Sequence, residues 1–126
     1  MLKSRELQMG QERIAEIVFL RLALPGRPKR NVGLFLLDRG TGNLFIRVRD
    51  DWDQIVAAED AELLSQLSGD FQRSTQELED GGGERFLESL EEQLSHILRL
   101  SDRETVRISN VRAELDRLFD QNCAAA

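Results

Sequence analysis

The sequence predicts an α+β domain: an antiparallel sheet of three to four strands with about three helices packed against it, on one face. Three observations carry that prediction. Period-two apolar runs recur through residues 14–49, and helical stripes recur through residues 60–119. The regular strand–helix alternation of a doubly wound parallel sheet is missing.

The first strand is Ile14 to Leu24. Val18, Leu20, Leu22 and Leu24 fall on one face, and Ile17, Phe19, Arg21 and Ala23 on the other. Pro25-Gly26-Arg27-Pro28 ends it, because proline lacks a ladder donor and glycine supplies unusual φ. Val32-Gly33-Leu34-Phe35-Leu36-Leu37 is the most apolar run and reads as a strand covered on both faces. Gly33 within it signals a bulge or a close backbone approach. Asp38 to Asn43 is a turn by composition. Leu44 to Arg49 completes a hairpin, with Leu44, Ile46 and Val48 inward and Phe45, Arg47 and Arg49 outward.

Asp60 is the expected cap of a helix with Leu63, Leu64, Leu67 and Phe71 on one stripe; it ends at Gly69 or runs on to Leu78. Glu79-Asp80-Gly81-Gly82-Gly83 reads as a flexible loop between helices. Glu84 to Leu100 is the strongest helix signal, through Phe86, Leu90, Leu94, Ile97 and Leu98. Thr105 to Ser109 is a short strand, and Asn110 caps a last helix with the stripe Val111, Leu115, Leu118 and Phe119. The expected organisation is a mobile lead over 1–13, one domain over 14–120 and a frayed tail over 121–126.

A chain of 126 residues, 40% hydrophobic and 32% charged, suits one packed domain. No apolar stretch approaches the roughly 20 residues of a membrane helix, and the N-terminus lacks a signal-peptide core. One cysteine and one histidine exclude a disulfide framework and leave little for thiol, imidazole or zinc chemistry. These features predict a small soluble cytoplasmic protein. The net charge of −6 is uneven: residues 1–49 hold 10 Lys/Arg against 4 Asp/Glu, and residues 50–126 hold 7 against 19. The favoured reading is outward arginines on strands neutralised by outward acids on helices. An acidic whole also argues against dominant nucleic-acid binding.

Two segments look familiar. Arg30-Asn31-Val32-Gly33-Leu34-Phe35-Leu36-Leu37-Asp38 resembles the N-V-G-V-x-L-F strand of the bacterial family called domain of unknown function 3037, where a proline-rich turn also precedes the strand. Asn110-Val111-Arg112-Ala113-Glu114-Leu115-Asp116-Arg117-Leu118-Phe119 is similar to its D-P-E-x-E-L-D-x-L-F segment. This chain departs from the family with Asn110 and Val111 in place of Asp-Pro. It also carries basic residues where a glutamate often precedes the N-V-G motif. The resemblance implies no established activity. Similar proteins tend to be encoded beside toxin-type kinase-like proteins, so it implies a protein partner, with such a neighbour as candidate. Read physically, both motifs are fold signals: Gly33 for close approach, Asn31 for bonding the local backbone at the turn, and Asn110 for the cap.

The first candidate site is the second sheet face. In the simplest registers Phe19, Phe35 and Phe45 share it with Arg21, Arg47 and Arg49. Aromatics amid arginines on an open sheet can read single-stranded nucleic acid. A second hydrophobic layer, covered by the last helix, the N-terminal segment or another subunit, is the favoured reading. The second candidate is the basic loop Arg27, Lys29 and Arg30, able to contact a phosphate or an acidic partner but more often a solvated turn. The third is Asp50, Asp51 and Asp53 around Trp52, which lack calcium-loop spacing and read as an acidic helix lead-in with Trp52 on the sheet. Gly81-Gly82-Gly83 is no phosphate loop, His96 is a structural or exposed histidine, and Cys123 has no partner to lower its pKa.

No catalytic, cofactor or metal residue is assigned. The expected function is a non-enzymatic protein–protein interaction or regulatory module. The alternative is a nucleic-acid-associated accessory protein using Arg27, Lys29, Arg30, Arg47 and Arg49. A homodimer or dedicated heteromer is expected, joined through the phenylalanine face or an edge strand. In the competing account the final helix crosses to that face and finishes the domain alone.

Overall fold

The computed structural model describes residues 12–78, 81–94 and 97–123. His96 and most of the N-terminal lead lie outside these residues. Among the described residues the fold is α+β, with five antiparallel strands, three α-helices and a 3-10 turn over Trp52–Gln54. None of the described helices is long and apolar enough to cross a membrane.

Strand β1 (Arg13–Leu22) is central. On one side it pairs with β2 (Arg30–Asp38), which pairs with the edge strand β3 (Leu44–Val48). On the other side two short strands share one position. β4 (Leu98–Leu100) pairs with Leu20 to Leu22, and β5 (Glu104–Ile108) with Arg13 to Ile17. β4 corrects the sequence expectation, which ran a helix to Leu100. Helix α2 (Gly83–Gln93) ends earlier, and the apolar residues Leu98 and Leu100 complete a sheet edge instead. Leu98 alone fits the helical stripe, the two-residue spacing of Leu98 and Leu100 is that of a strand, and pairing with β1 decides between them.

Helix α1 (Ala58–Gln76) runs through Gly69 and begins one turn sooner than expected. Its N-cap is Ala57, so Asp60 lies in the first turn, where the helix dipole favours an acid, rather than at the cap. Helix α3 (Val111–Asn122) is capped as expected: the Asn110 side chain accepts the Ala113 N–H at 2.9 Å. Gln121 and Asn122, expected in a frayed tail, continue α3, and Cys123 after them is buried.

The helices lie on both faces, not one. Leu64, Phe71, Leu87 and Leu90 of α1 and α2 pack with Val18, Leu20, Phe35 and Leu37. The Phe35 and Phe71 rings meet edge to face, with centroids 6.3 Å apart. Leu115, Leu118 and Phe119 of α3 cover Ile17, Phe19, Leu34 and Leu36 on the opposite face. β2 is therefore buried from Val32 to Asp38, as its unbroken apolarity predicts.

Phe35 corrects the predicted face. Near the turn Arg21 pairs with Asn31, but Leu20 pairs with Gly33, so β2 carries one extra residue, a bulge at Val32. Beyond that bulge Val18 faces Phe35, and Phe35 faces Ile46. Directly paired residues share a face. Phe35 thus exchanges sides with Leu36, which joins Phe19 and Phe45. The neighbouring Gly33 has its expected reason, since a Cβ there would stand 2.8 Å from the Arg47 carbonyl oxygen.

Candidate functional site

The phenylalanine face is a core. Phe19 is 6% exposed, Phe45 is half-buried and Phe35 lies on the other side at 0%. Two arginines of that face, Arg47 and Arg49, are drawn into holding α3. Arg47 donates to the Asp116 carboxylate, and its guanidinium lies 4.6 Å from the centre of the Phe119 ring. Arg49 grips Asp51 through two nitrogens at 2.8 and 2.6 Å, and donates to the Cys123 carbonyl at 3.0 Å. That contact places a cation at the C-terminus of α3, where the dipole favours it. The bond also raises the Arg49 pKa and lowers that of Asp51. Arg21 donates to the Asn31 side chain at 3.1 Å, so Asn31 ties two strands together rather than its own turn.

These pairings join the basic and acidic parts of the chain, as the charge asymmetry predicts. Arg39 adds a bond to Glu84. Arg103 gathers Glu16 at 2.9 Å, Glu84 at 2.7 Å and both oxygens of Glu91. The surrounding carboxylates raise the Arg103 pKa, and Arg103 foremost holds Glu84 below the usual carboxylate range. Among the acids flanking Trp52, Asp51 is taken by Arg49, and the indole is buried in the α1 side of the core. Among the described residues no group of three or more His, Cys, Asp or Glu is placed to hold a metal ion. Burial pushes the Cys123 thiol up to about 11, against a small opposing pull from Arg49.

Two surface features remain. The first is a groove of about 510 Å³ along the edge of β3. Gln72, Thr75 and Gln76 of α1 form one wall, and Val111, Arg112 and Leu115 of α3 the other. The phase of the β2–β3 ladder is set by bonds from Asp38 N–H to the Asn43 carbonyl and from Arg49 N–H to the Val32 carbonyl, both 2.9 Å. Antiparallel pairs alternate. Phe45 and Arg47 therefore bond inward to β2, while the N–H and C=O groups of Leu44, Ile46 and Val48 point out to the groove. No bond from these groups to a described residue is present. Sequence patterning identified Phe45 and Arg47 and expected an edge-strand contact, but not that β3 is the edge and Leu44, Ile46 and Val48 its outward row, which depends on strand order and ladder phase.

The second feature is a pocket of about 450 Å³ where β1 passes into β2. It brings together all three residues of the basic loop, Arg27, Lys29 and Arg30, beside Leu22, Leu24 and Ile55. No family model, curated protein or solved structure matches this chain.

Proposed function

We propose that this chain is a cytoplasmic, non-enzymatic interaction module whose partner is a second copy of itself, joined edge to edge at β3. One observation carries the reading: the outward backbone groups of β3 are self-complementary in register. With Ile46 on a two-fold axis, Leu44 stands opposite Val48 of the second copy. Every outward group then meets an outward group, and the three pairs form about six hydrogen bonds.

The closure of the phenylalanine face by α3 removes the other surface that favoured a dimer. Those six or so hydrogen bonds, at about 1 kcal/mol each, reach only the lower part of an association cost of about 4–15 kcal/mol. The remainder comes from burying Phe45, Ile46 and Val48, which are half-buried in the single chain. Association is therefore concentration-dependent.

Sedimentation across micromolar concentrations tests this. The expected species at tens of micromolar has twice the 14.4 kDa mass of the chain. Ile46→Pro removes an outward N–H without touching the inward ladder, and is expected to give a monomer with an unchanged circular dichroism spectrum. A wild-type monomer, or a dimer that survives Ile46→Pro, overturns the reading.

A further inference from the structure

We propose that the pocket between β1 and β2 binds a phosphate monoester carrying an apolar chain. This is a different surface from the β3 edge and stands independently of dimerisation.

The pocket has a cationic rim and an apolar wall. Arg27 and Lys29 are exposed, and neither forms an ion pair with a described residue. Arg30 completes the rim while also drawing on Asp51, which lies outside the lining. Among the described residues no acid lines the pocket. Arg27 and Lys29, with Arg30 adding to the field beside them, favour a dianion over a monoanion, and the planar guanidinium fork matches phosphate oxygens. The loop is also stiff, since Pro25 and Pro28 fix φ and the Arg27 N–H closes a turn on the Leu24 carbonyl at 3.2 Å. The cations are thus held near one another before a ligand arrives.

The wall decides what the phosphate carries. Leu24 and Ile55 offer apolar surface over the buried Leu22, and the cavity is within the range that holds small ligands. The two amides in the lining each already use one end: Asn31 accepts from Arg21, and Asn122 donates to the Leu118 carbonyl at 2.9 Å. Among the described residues no aromatic ring lines the pocket to stack a base. A nucleotide therefore fits poorly, and an alkyl or acyl chain fits well.

Calorimetric titration with hexyl phosphate, inorganic phosphate and hexanol tests the inference. Hexyl phosphate is expected to bind at least about tenfold tighter than either fragment, because only it uses both rim and wall. The double variant Arg27→Ser, Lys29→Ser is expected to lose about tenfold or more of that affinity. Both side chains are exposed, so its thermal melt, read from Trp52 fluorescence, should match the wild type. Vesicles with and without phosphatidic acid separate a lipid source from a soluble ester; sedimentation with the acidic vesicles alone assigns the lipid. The inference is overturned if hexyl phosphate binds no tighter than the fragments, or if the double variant binds it unchanged. A phosphoserine peptide that binds where hexyl phosphate does not also overturns it.

Discussion

Ser101 and Phe19 exchange two hydrogen bonds across the gap between β4 and β5. The Ser101 hydroxyl accepts the Phe19 N–H at 2.8 Å, and the Ser101 N–H donates to the Phe19 carbonyl at 2.9 Å. One residue thereby satisfies the central strand where neither short strand reaches it. Ser101→Ala leaves the Phe19 N–H without its acceptor in a part-buried site. The expected cost is about 1–3 kcal/mol, measured by urea denaturation followed through Trp52 fluorescence. Trp52 is the only tryptophan and is 2% exposed, so its emission reports unfolding. A change within experimental error would show that water replaces the hydroxyl.

Gly33 allows the β2 and β3 backbones to meet. A Cβ would contact the Arg47 carbonyl oxygen at 2.8 Å and Val48 Cγ2 at 3.0 Å, and carbonyl oxygen cannot swing away as a side-chain end can. Gly33→Ala is expected to destabilise by about 1–3 kcal/mol, whereas Gly69→Ala, with open space around its Cβ, should gain about 1 kcal/mol from helix propensity. The opposite signs, read in the same denaturation experiment, separate steric approach from backbone freedom.

Acid should weaken the fold through Glu84 and Asp51. Both carboxyls are held below their ordinary values of 4.5 and 3.8, Glu84 by Arg103 first and Asp51 by Arg49 first. A lowered folded pKa contributes stability that is complete above the unfolded value and is lost as pH falls through the folded one. Stability is therefore expected to be flat above about pH 5 and to fall below it. Arg103→Ala should cost about 1–2 kcal/mol at pH 7 and flatten the acid limb, because Glu84 then loses its main partner. Denaturation midpoints between pH 3 and 7 that fall in parallel for both proteins would contradict this.

Element type was legible wherever a period stood alone. Leu64 and Phe71 mark a helix, the β2 run marks a doubly covered strand, and Asn110 marks a cap. What patterning missed depended on one residue or on distant pairing. The bulge at Val32 reverses the face of Phe35 although Gly33 announces an irregularity beside it, since a period of two cannot say on which strand an extra residue falls. Leu98 continues the helical stripe of Leu94 and Ile97, and the strand signal is only the three residues Leu98 to Leu100, so the free side of β1 decides for the strand. The basic loop was legible as Arg27, Lys29 and Arg30. Its apolar wall was not, because Ile55 arrives from a segment 25 residues beyond Arg30 in the chain.

Cys123 supplies a last prediction, in which two effects of Arg49 oppose each other. The thiol is 1% exposed and burial raises its pKa to about 11, so at pH 8 about one molecule in a thousand carries the thiolate. Labelling by a thiol reagent is therefore expected to proceed only through opening of the α3 terminus. Arg49 acts on that opening by holding the Cys123 carbonyl and Asp51 together. It also lowers the thiol pKa, second to the effect of burial, so Arg49→Gln raises the pKa and by itself slows reaction. Loss of a charge-assisted bond at the helix end is worth about 1.5–3 kcal/mol, or roughly tenfold to a hundredfold in the open population, and this exceeds the electrostatic term. Arg49→Gln should label faster than wild type at pH 8 in native buffer, while both label alike in denaturant. Slower labelling of the variant in native buffer would mean that the charge, not the clasp, governs the thiol.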